Sequence, residues 1–209
     1  MGFRLRFVAA CAAIALTCAA SPQQQQQQQA QRIFTFKSAV VALTDDAMLR
    51  ADFERELVAK AREHRYDAVT SYDLVPKVAD VRNKGFIKTL AAKGIKVVLM
   101  VRPAAIGPGS SLDAVREQVS PAMLKDMKSF AKAVSPSGGS DLIAVVHLAI
   151  YAIDTGSPEL LSPGAVWLDE PVKDRAEGIA RLQDLIVANV DAARPAIRQY
   201  FGMPPLPPQ

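Results

Sequence analysis

Residues 38–46 read Ser-Ala-Val-Val-Ala-Leu-Thr-Asp-Asp. An uncharged apolar run passes directly into a hydroxyl and two carboxylates. A strand covered on both faces does not alternate apolar with polar, so a continuous run of this kind suits a buried, parallel sheet. Thr44-Asp45-Asp46 then offers a side-chain cap and negative charge for a helix start. The helix expected over Ala47–Glu63 places Leu49, Phe53, Leu57 and Ala61 on one stripe. Asp67–Ser71 reads as a second short strand. Asn83 is placed to cap a short helix carrying Phe86, Ile87, Leu90 and Ala91, which Gly94 stops. Ile95–Val101 is a third strand. Strand, helix, strand, helix, strand with short links implies parallel pairing through crossovers.

Beyond Val101 the pattern changes. Ser120-Pro121 starts a helix with Met123, Met127, Phe130, Ala131 and Val134 on one face. Residues 135–140 (Ser-Pro-Ser-Gly-Gly-Ser) form a loop. Leu142–Ile153 is a long β-type run, Asp154-Thr155-Gly156 a turn, and Ala165–Leu168 the returning strand of a hairpin. The open edge of that hairpin is a further candidate for self-association. A last helix starts at Asp174, with Glu177 as its capping box. Ile179, Leu182, Ile186, Val190 and Ile197 form its buried stripe, and Pro195 is expected to kink or restart it. The expected fold is α/β: one layered domain, three parallel βαβ strands extended by an antiparallel hairpin, with helices covering the sheet.

The N-terminus is organised differently. Arg4 and Arg6 precede an uncharged apolar run, Phe7–Leu16, which is followed by the small residues Thr17, Cys18, Ala19 and Ala20. That order is a signal peptide, and the run is shorter than the roughly 20 residues a membrane span needs. Cleavage after Ala20 would leave Ser21 first; alternatively Cys18 carries lipid. Gln23–Gln29 has no side chain able to bury apolar surface, which suits a tether. The expected organisation is a signal peptide (1–20), a Gln-rich tether (21–32), the α/β domain (33–201) and a Pro-rich tail (202–209). Both cysteines, Cys11 and Cys18, lie in the leader, so the body forms no disulfide or thiolate cluster. Lys and Arg total 25 against 21 Asp and Glu, and two of the 25 are in the leader. This near balance gives no nucleic-acid footprint.

Several stretches together resemble a family of bacterial envelope lipoproteins with a small α/β domain. They are Ser38–Leu43, the helix containing Glu54, Ser71-Tyr72-Asp73-Leu74-Val75-Pro76, Gly94-Ile95-Lys96-Val97-Val98-Leu99, and Leu148–Gly156 with Trp167. Lys96 stands where those proteins often have Asp. Ala15-Leu16-Thr17-Cys18 resembles their lipobox, with its Leu one position late. The resemblance implies an exported protein in the periplasm or at the outer membrane, anchored through Cys18 and working with an envelope partner. The alternative is a secreted protein. Ala19 after Cys18, rather than Asp, would permit outer-membrane delivery by the sorting rule of such lipoproteins. The resemblance brings no catalytic residues.

Nothing in the chain spells out catalysis. There is no Gly-x-Ser-x-Gly elbow and no phosphate-binding Gly-x-x-x-x-Gly-Lys loop. His64 ends a charged helix and His147 lies in an apolar strand; neither has metal-ligand spacing. Residues 106–111 (Ile-Gly-Pro-Gly-Ser-Ser) read as a turn. Tyr151 and Trp167 read as core and cross-strand packing. No cofactor or metal is expected, and a non-enzymatic binding or assembly module is favoured over an enzyme. One placement argument remains. Ligands of open parallel sheets bind beyond the carboxyl ends of the strands. There the sequence sets Thr44 and Asp45, Ser71 and Tyr72, and Arg102, a set of candidate ligand-binding residues that equally suits caps and turns.

Overall fold

A computed structural model describes residues 36–83, 85–105, 125–132, 143–154, 156–168 and 172–205. The chain divides at Arg32/Ile33, and every described residue belongs to the second unit, Ile33–Gln209. One open, mixed sheet holds β1 (Lys37–Ala42), β2 (Asp67–Thr70), β3 (Ile95–Ala105), β4 (Ile143–Ala152) and β5 (Glu159–Trp167). Their spatial order is β2-β1-β3-β4-β5. β1 pairs in parallel with β2 and β3; β4 is antiparallel to β3, and β5 to β4. The described helices are α1 (Ala47–Glu63), α2 (Val78–Val81), α3 (Gly85–Ala92), α4 (Met127–Lys132) and α5 (Arg175–Tyr200).

Side-chain alternation divides the core into two layers. Ala39, Val41, Val98, Met100, Ala149 and Tyr151 face Phe86, Ile87 and Leu90 of α3 and Phe130 of α4. Val40, Val97, Leu99, Val101, Leu148 and Ile150 face Leu57 and Val58 of α1 and Leu182, Ile186 and Val187 of α5. Because both sheet faces are covered, the central strands read as unbroken apolar runs. Each large side chain buried this way contributes about 1.5–3 kcal/mol.

The sheet's open edges carry devices that discourage further pairing. Ser71 N donates to Val40 O, so odd residues of β2 face β1 and Ala68 turns its carbonyl outward. Arg62 covers that carbonyl with Nε and Nη2, at 3.1 and 3.0 Å. On β5, the register shift between Ile150 and Tyr151 leaves Leu161 as an extra residue, and Pro163 lies opposite Ala149. A bulge and a proline both weaken an edge as a template for another strand. The self-association expected of this edge therefore has little to build on. β5 also begins earlier than the expected Ala165, at Glu159. Gly164 fits under α5 because a Cβ there would lie 2.7 Å from Asn189 Oδ1.

Other expectations need adjustment. β3 continues past Val101 through Pro103, which sits beyond the end of β1 and pairs only with β4. Pro is tolerated in that position because no second ladder asks for its amide. The expected helix start at Ser120-Pro121 and the loop at 106–111 lie outside the described residues. Where description resumes, Asp126 caps α4, accepting from Lys128 N and Ser129 N at 3.1 and 3.2 Å. Asn83 does not cap α3 with its side chain in the expected way; its amide donates to Asp80 Oδ1 at 3.0 Å. α5 neither stops nor restarts at Pro195 but continues to Tyr200. Buried Ala193 and Ile197 hold it on both sides of the proline, while Pro195 itself is exposed. Packing of this kind offsets the roughly 3 kcal/mol a mid-helix proline costs.

Two helices end in the same left-handed device with different residues. At α5, Gly202 (φ 63°) lets Met203 N reach Arg198 O and Gly202 N reach Gln199 O, at 2.9 and 3.1 Å. At α1, Arg65 (φ 66°) does the same, with Tyr66 N on Ala61 O at 3.0 Å and Arg65 N on Arg62 O at 2.9 Å. Both are Schellman motifs. Since nothing lies within 4 Å of a Cβ built on Gly202, Gly202→Ala has only the backbone cost, about 1 kcal/mol. Arg65→Ala exchanges one strained side chain for another and should stay within about 0.5 kcal/mol. Urea unfolding of the two variants separates these outcomes, and equal losses would contradict the two left-handed caps.

Candidate functional site

The carboxyl ends of β1 and β2 meet over the first turns of α1. Even residues of β1 face β2, yet β2 ends at Thr70 and leaves the amide of Ala42 with no strand carbonyl. Glu54 takes that place: its Oε1 accepts from Ala42 N at 2.9 Å. The same oxygen accepts from Arg50 Nε and Ser71 Oγ, both at 2.9 Å, and Oε2 accepts from Tyr72 N at 2.7 Å. Arg50 completes the arrangement. Its Nη2 donates to Ser71 Oγ at 2.7 Å and its Nη1 to Pro76 O at 3.0 Å. Arg50 and Glu54 are 0 % exposed. An ion pair this deep survives because charged neighbours and several donors replace the water it has lost.

The sequence set expected to gather at this end is split by the fold. Ser71 is buried and engaged by Glu54 and Arg50. Tyr72 gives its amide to Glu54, and its half-buried ring lies 5.8 Å from the Arg50 guanidinium carbon. Asp45 is exposed, and the cap of α1 is Asp46 instead, accepting from Met48 N and Leu49 N at 3.0 Å. Thr44 joins Leu49, Phe53, Val101 and Leu182 around a 20 Å³ apolar void on the α1–α5 side of the sheet. Arg102 alternates with Val101 and therefore points to the opposite face, with α3 and α4. The expected convergence of Thr44, Asp45 and Arg102 does not form.

Arg102 instead has a cross-strand neighbour, His147 of β4. Both are buried, at 4 % and 3 % exposure. Burial disfavours the charged guanidinium and lowers the Arg102 pKa. Neither partner was joined to the other in the sequence, because register across two strands is not a local property. Among the described residues no group of three or more His, Cys, Asp or Glu side chains can hold a metal.

A second polar cluster ties α1 to α5. Tyr66 donates its hydroxyl to Asp191 Oδ1 at 2.6 Å and accepts from Arg194 Nη2 at 2.9 Å. His64 Nδ1 lies 2.8 Å from Asp191 Oδ2, and Arg194 also bonds Asp191. Lys60 reaches Asp184, and Gln183 Nε2 donates to Glu56 Oε2 at 3.1 Å. Tyr66 together with Leu57, Ala61, Val187, Val190 and Ile197 lines a 40 Å³ apolar cavity. Burial acts to raise the Asp191 pKa, but Tyr66, His64 and Arg194 outweigh it and hold the carboxyl below its usual value. Burial pushes the Tyr66 hydroxyl well up, so it remains a donor. His64, exposed at the C-terminal end of α1 as expected, also makes an inter-helix contact.

The chain matches no protein-family model, no curated protein and no solved structure.

Removing either member of the Arg50–Glu54 pair leaves the other charge buried and should cost about 3–5 kcal/mol. The double variant Arg50→Met/Glu54→Leu should cost less than the sum of Arg50→Met and Glu54→Leu by at least about 1 kcal/mol. Additive costs in a urea-unfolding cycle would mean the pair does not act as a unit. For Asp191 the folded pKa is depressed, so its stabilising effect is present above the unfolded value near 3.9 and lost as pH falls through the folded pKa. Wild type should therefore lead Asp191→Asn at neutral pH, and the lead should shrink as the solution is acidified below about pH 4. A pH-independent difference would show that the lost contact is not ionic.

Proposed function

We propose that the chain is an exported protein anchored in a bacterial envelope through lipid on Cys18, with its α/β domain serving as a non-enzymatic binding or assembly module. The domain works in the periplasm or at the outer membrane, and its partner is another envelope protein. The reading of export draws on the order of Arg4, Arg6, the apolar run, Cys18 and the glutamines. The observation that carries the non-enzymatic reading is the closed state of the strand-end groups. Ser71, the Tyr72 amide, Arg50 and Glu54 are committed to one another, and the Thr44 and Arg102 side chains face opposite ways.

A second reading is favoured by one feature. Arg102 and His147 are two ionisable side chains buried side by side, an arrangement often found where ligands or protons are handled. On this reading the domain is a periplasmic or secreted small-ligand binder or enzyme. The chemistry available is recognition of an anion by guanidinium and imidazole. A rise in Tm with phosphate or acetate that Arg102→Lys abolishes would favour it.

The deciding experiment is the intact mass of the protein expressed in a bacterial host, beside Cys18→Ser. The expected result is an acylated N-terminal Cys18, absent from the variant. A bare chain beginning at Ser21 would sink the anchor and leave a free exported protein.

A further inference from the structure

We propose that the pole of the domain where β1, β2 and β3 begin is a membrane-facing surface that receives anionic lipid headgroups. The proposal deepens the lipid-anchored reading and rests on it for the bilayer as partner.

The parallel register defines this pole. Lys37 of β1 lies level with Asp67 of β2 and with Ile95 of β3. Arg65, two residues before β2, and Lys93 and Lys96, around the start of β3, are exposed, and Lys37 is half-buried. The antiparallel strands bring their own ends to the same level, Ala152 opposite Val97 and Glu159 opposite Ala152. The C-terminus of α5 also arrives there. Phe201 lies with its ring 4.1 Å from that of Phe36, and Tyr200 bonds Asp154 at 3.3 Å. Arg198 holds the chain after α5 against this end by donating to Pro204 O at 2.9 Å.

Three features make a headgroup surface out of this pole. The first is where the anchor must enter. The chain from Cys18 reaches the described domain at Phe36, a path that spans at most about 60 Å at roughly 3.3–3.6 Å per residue. The second is charge. Lys37, Arg65, Lys93 and Lys96 lie on the β2-β1-β3 side, where Asp67 and Glu63 are the exposed carboxylates and Asp191 is engaged by His64, Tyr66 and Arg194. Asp154 and Glu159 stand next to these residues on the β4-β5 side, where Ile153 N donates to Lys96 O at 2.9 Å and Tyr200 donates to Asp154 at 3.3 Å. Basic clusters next to an anchor are drawn to anionic leaflets within a Debye length. The third is the apolar component. Phe36 and Phe201 are half-buried, Lys96 Nζ lies 5.7 Å from the centre of the Phe36 ring, and Met203 is half-buried beside exposed Pro204 and Pro205. Aromatic rings with neighbouring lysines suit the headgroup level of a bilayer. The opposite pole, where Asp45, Asp46, Asp73, Asp174 and Glu177 are exposed, is left facing away from the lipid and toward a partner.

Amine labelling of the full chain, read by mass spectrometry, tests this on two vesicle types. One contains phosphatidylglycerol in phosphatidylcholine, the other phosphatidylcholine alone. Labelling of Lys93 and Lys96 should fall several-fold on the phosphatidylglycerol vesicles only, and the protection should fade at high salt. Lys77 and Lys173, at the opposite pole, should label equally on both. The double reversal Lys93→Glu/Lys96→Glu should weaken partitioning onto phosphatidylglycerol vesicles about tenfold or more. Equal labelling of Lys93 and Lys96 on both vesicles, or protection of Lys77 and Lys173 instead, overturns the proposal. The mass of Cys18 keeps the two ideas apart. Acylated Cys18 with unprotected lysines refutes the surface and keeps the anchor; bare Cys18 with salt-sensitive protection refutes the anchor and keeps the surface.

Discussion

The Glu54 carboxylate is the constraint on which the rest of the domain depends. A parallel pair of unequal strands leaves main-chain donors without acceptors where the shorter strand stops, and a buried amide of that kind costs about as much as a lost hydrogen bond. β2 is short, and Glu54 supplies an acceptor to Ala42 from a different element. By also taking the amide of Tyr72, it fixes the turn that leaves β2. One side chain thus sets the end of β1, the exit from β2 and the seating of α1. Arg50 is required in turn, because a lone carboxylate at 0 % exposure would give up its charge.

This arrangement explains why the strand-end region is closed. In many open parallel sheets that region is where amides and dipoles are left for a ligand. Here the same groups are used within the protein. The side-chain alternation of β3 then turns Arg102 to the face opposite Thr44, so these two side chains cannot meet. Arg102 and His147, two further buried polar side chains, are brought side by side by the β3–β4 register.

The parts of the fold that local rules govern were legible in the sequence. Ser38–Leu43 read as a buried strand, α1 ran from Ala47 to Glu63, Gly94 ended α3 with φ 72°, and Asp174 began α5. Each depends on a cap, a turn or a run that neighbours decide. Misreadings came where distant residues decide. Arg50 and Glu54, four apart with opposite charge, look like an ordinary surface pair of a helix. Their burial shifts the covered face of α1, so that of the expected stripe Leu57 is buried while Leu49, Phe53 and Ala61 are half-buried. Ser162-Pro163-Gly164 looks like a loop, yet on an edge strand its missing amide costs nothing and its missing Cβ makes room for Asn189. Asp191 and Arg194 meet His64 and Tyr66 only because α5 crosses α1. No spacing in the sequence announces that meeting.

The two ends of the sheet therefore differ in kind. At the carboxyl end of the parallel strands, charge is drawn inward and neutralised in pairs, and the exposed residues there are mostly acidic caps and turns. At the amino end, strand starts and helix C-termini come together, and Lys93 and Lys96 are exposed. That asymmetry follows from helix polarity. α1, α3 and α5 run back across the sheet, so their N-termini, which favour Asp and Glu, gather at the carboxyl end of β1 to β3. Their C-termini gather at the other, where α1 carries Lys60 and Arg62 and α5 carries Arg198 in the last turn, while α3 carries no basic residue there. A domain built this way has a basic end and an acidic end before any partner is considered, and the point where the chain enters decides which end is held against a surface.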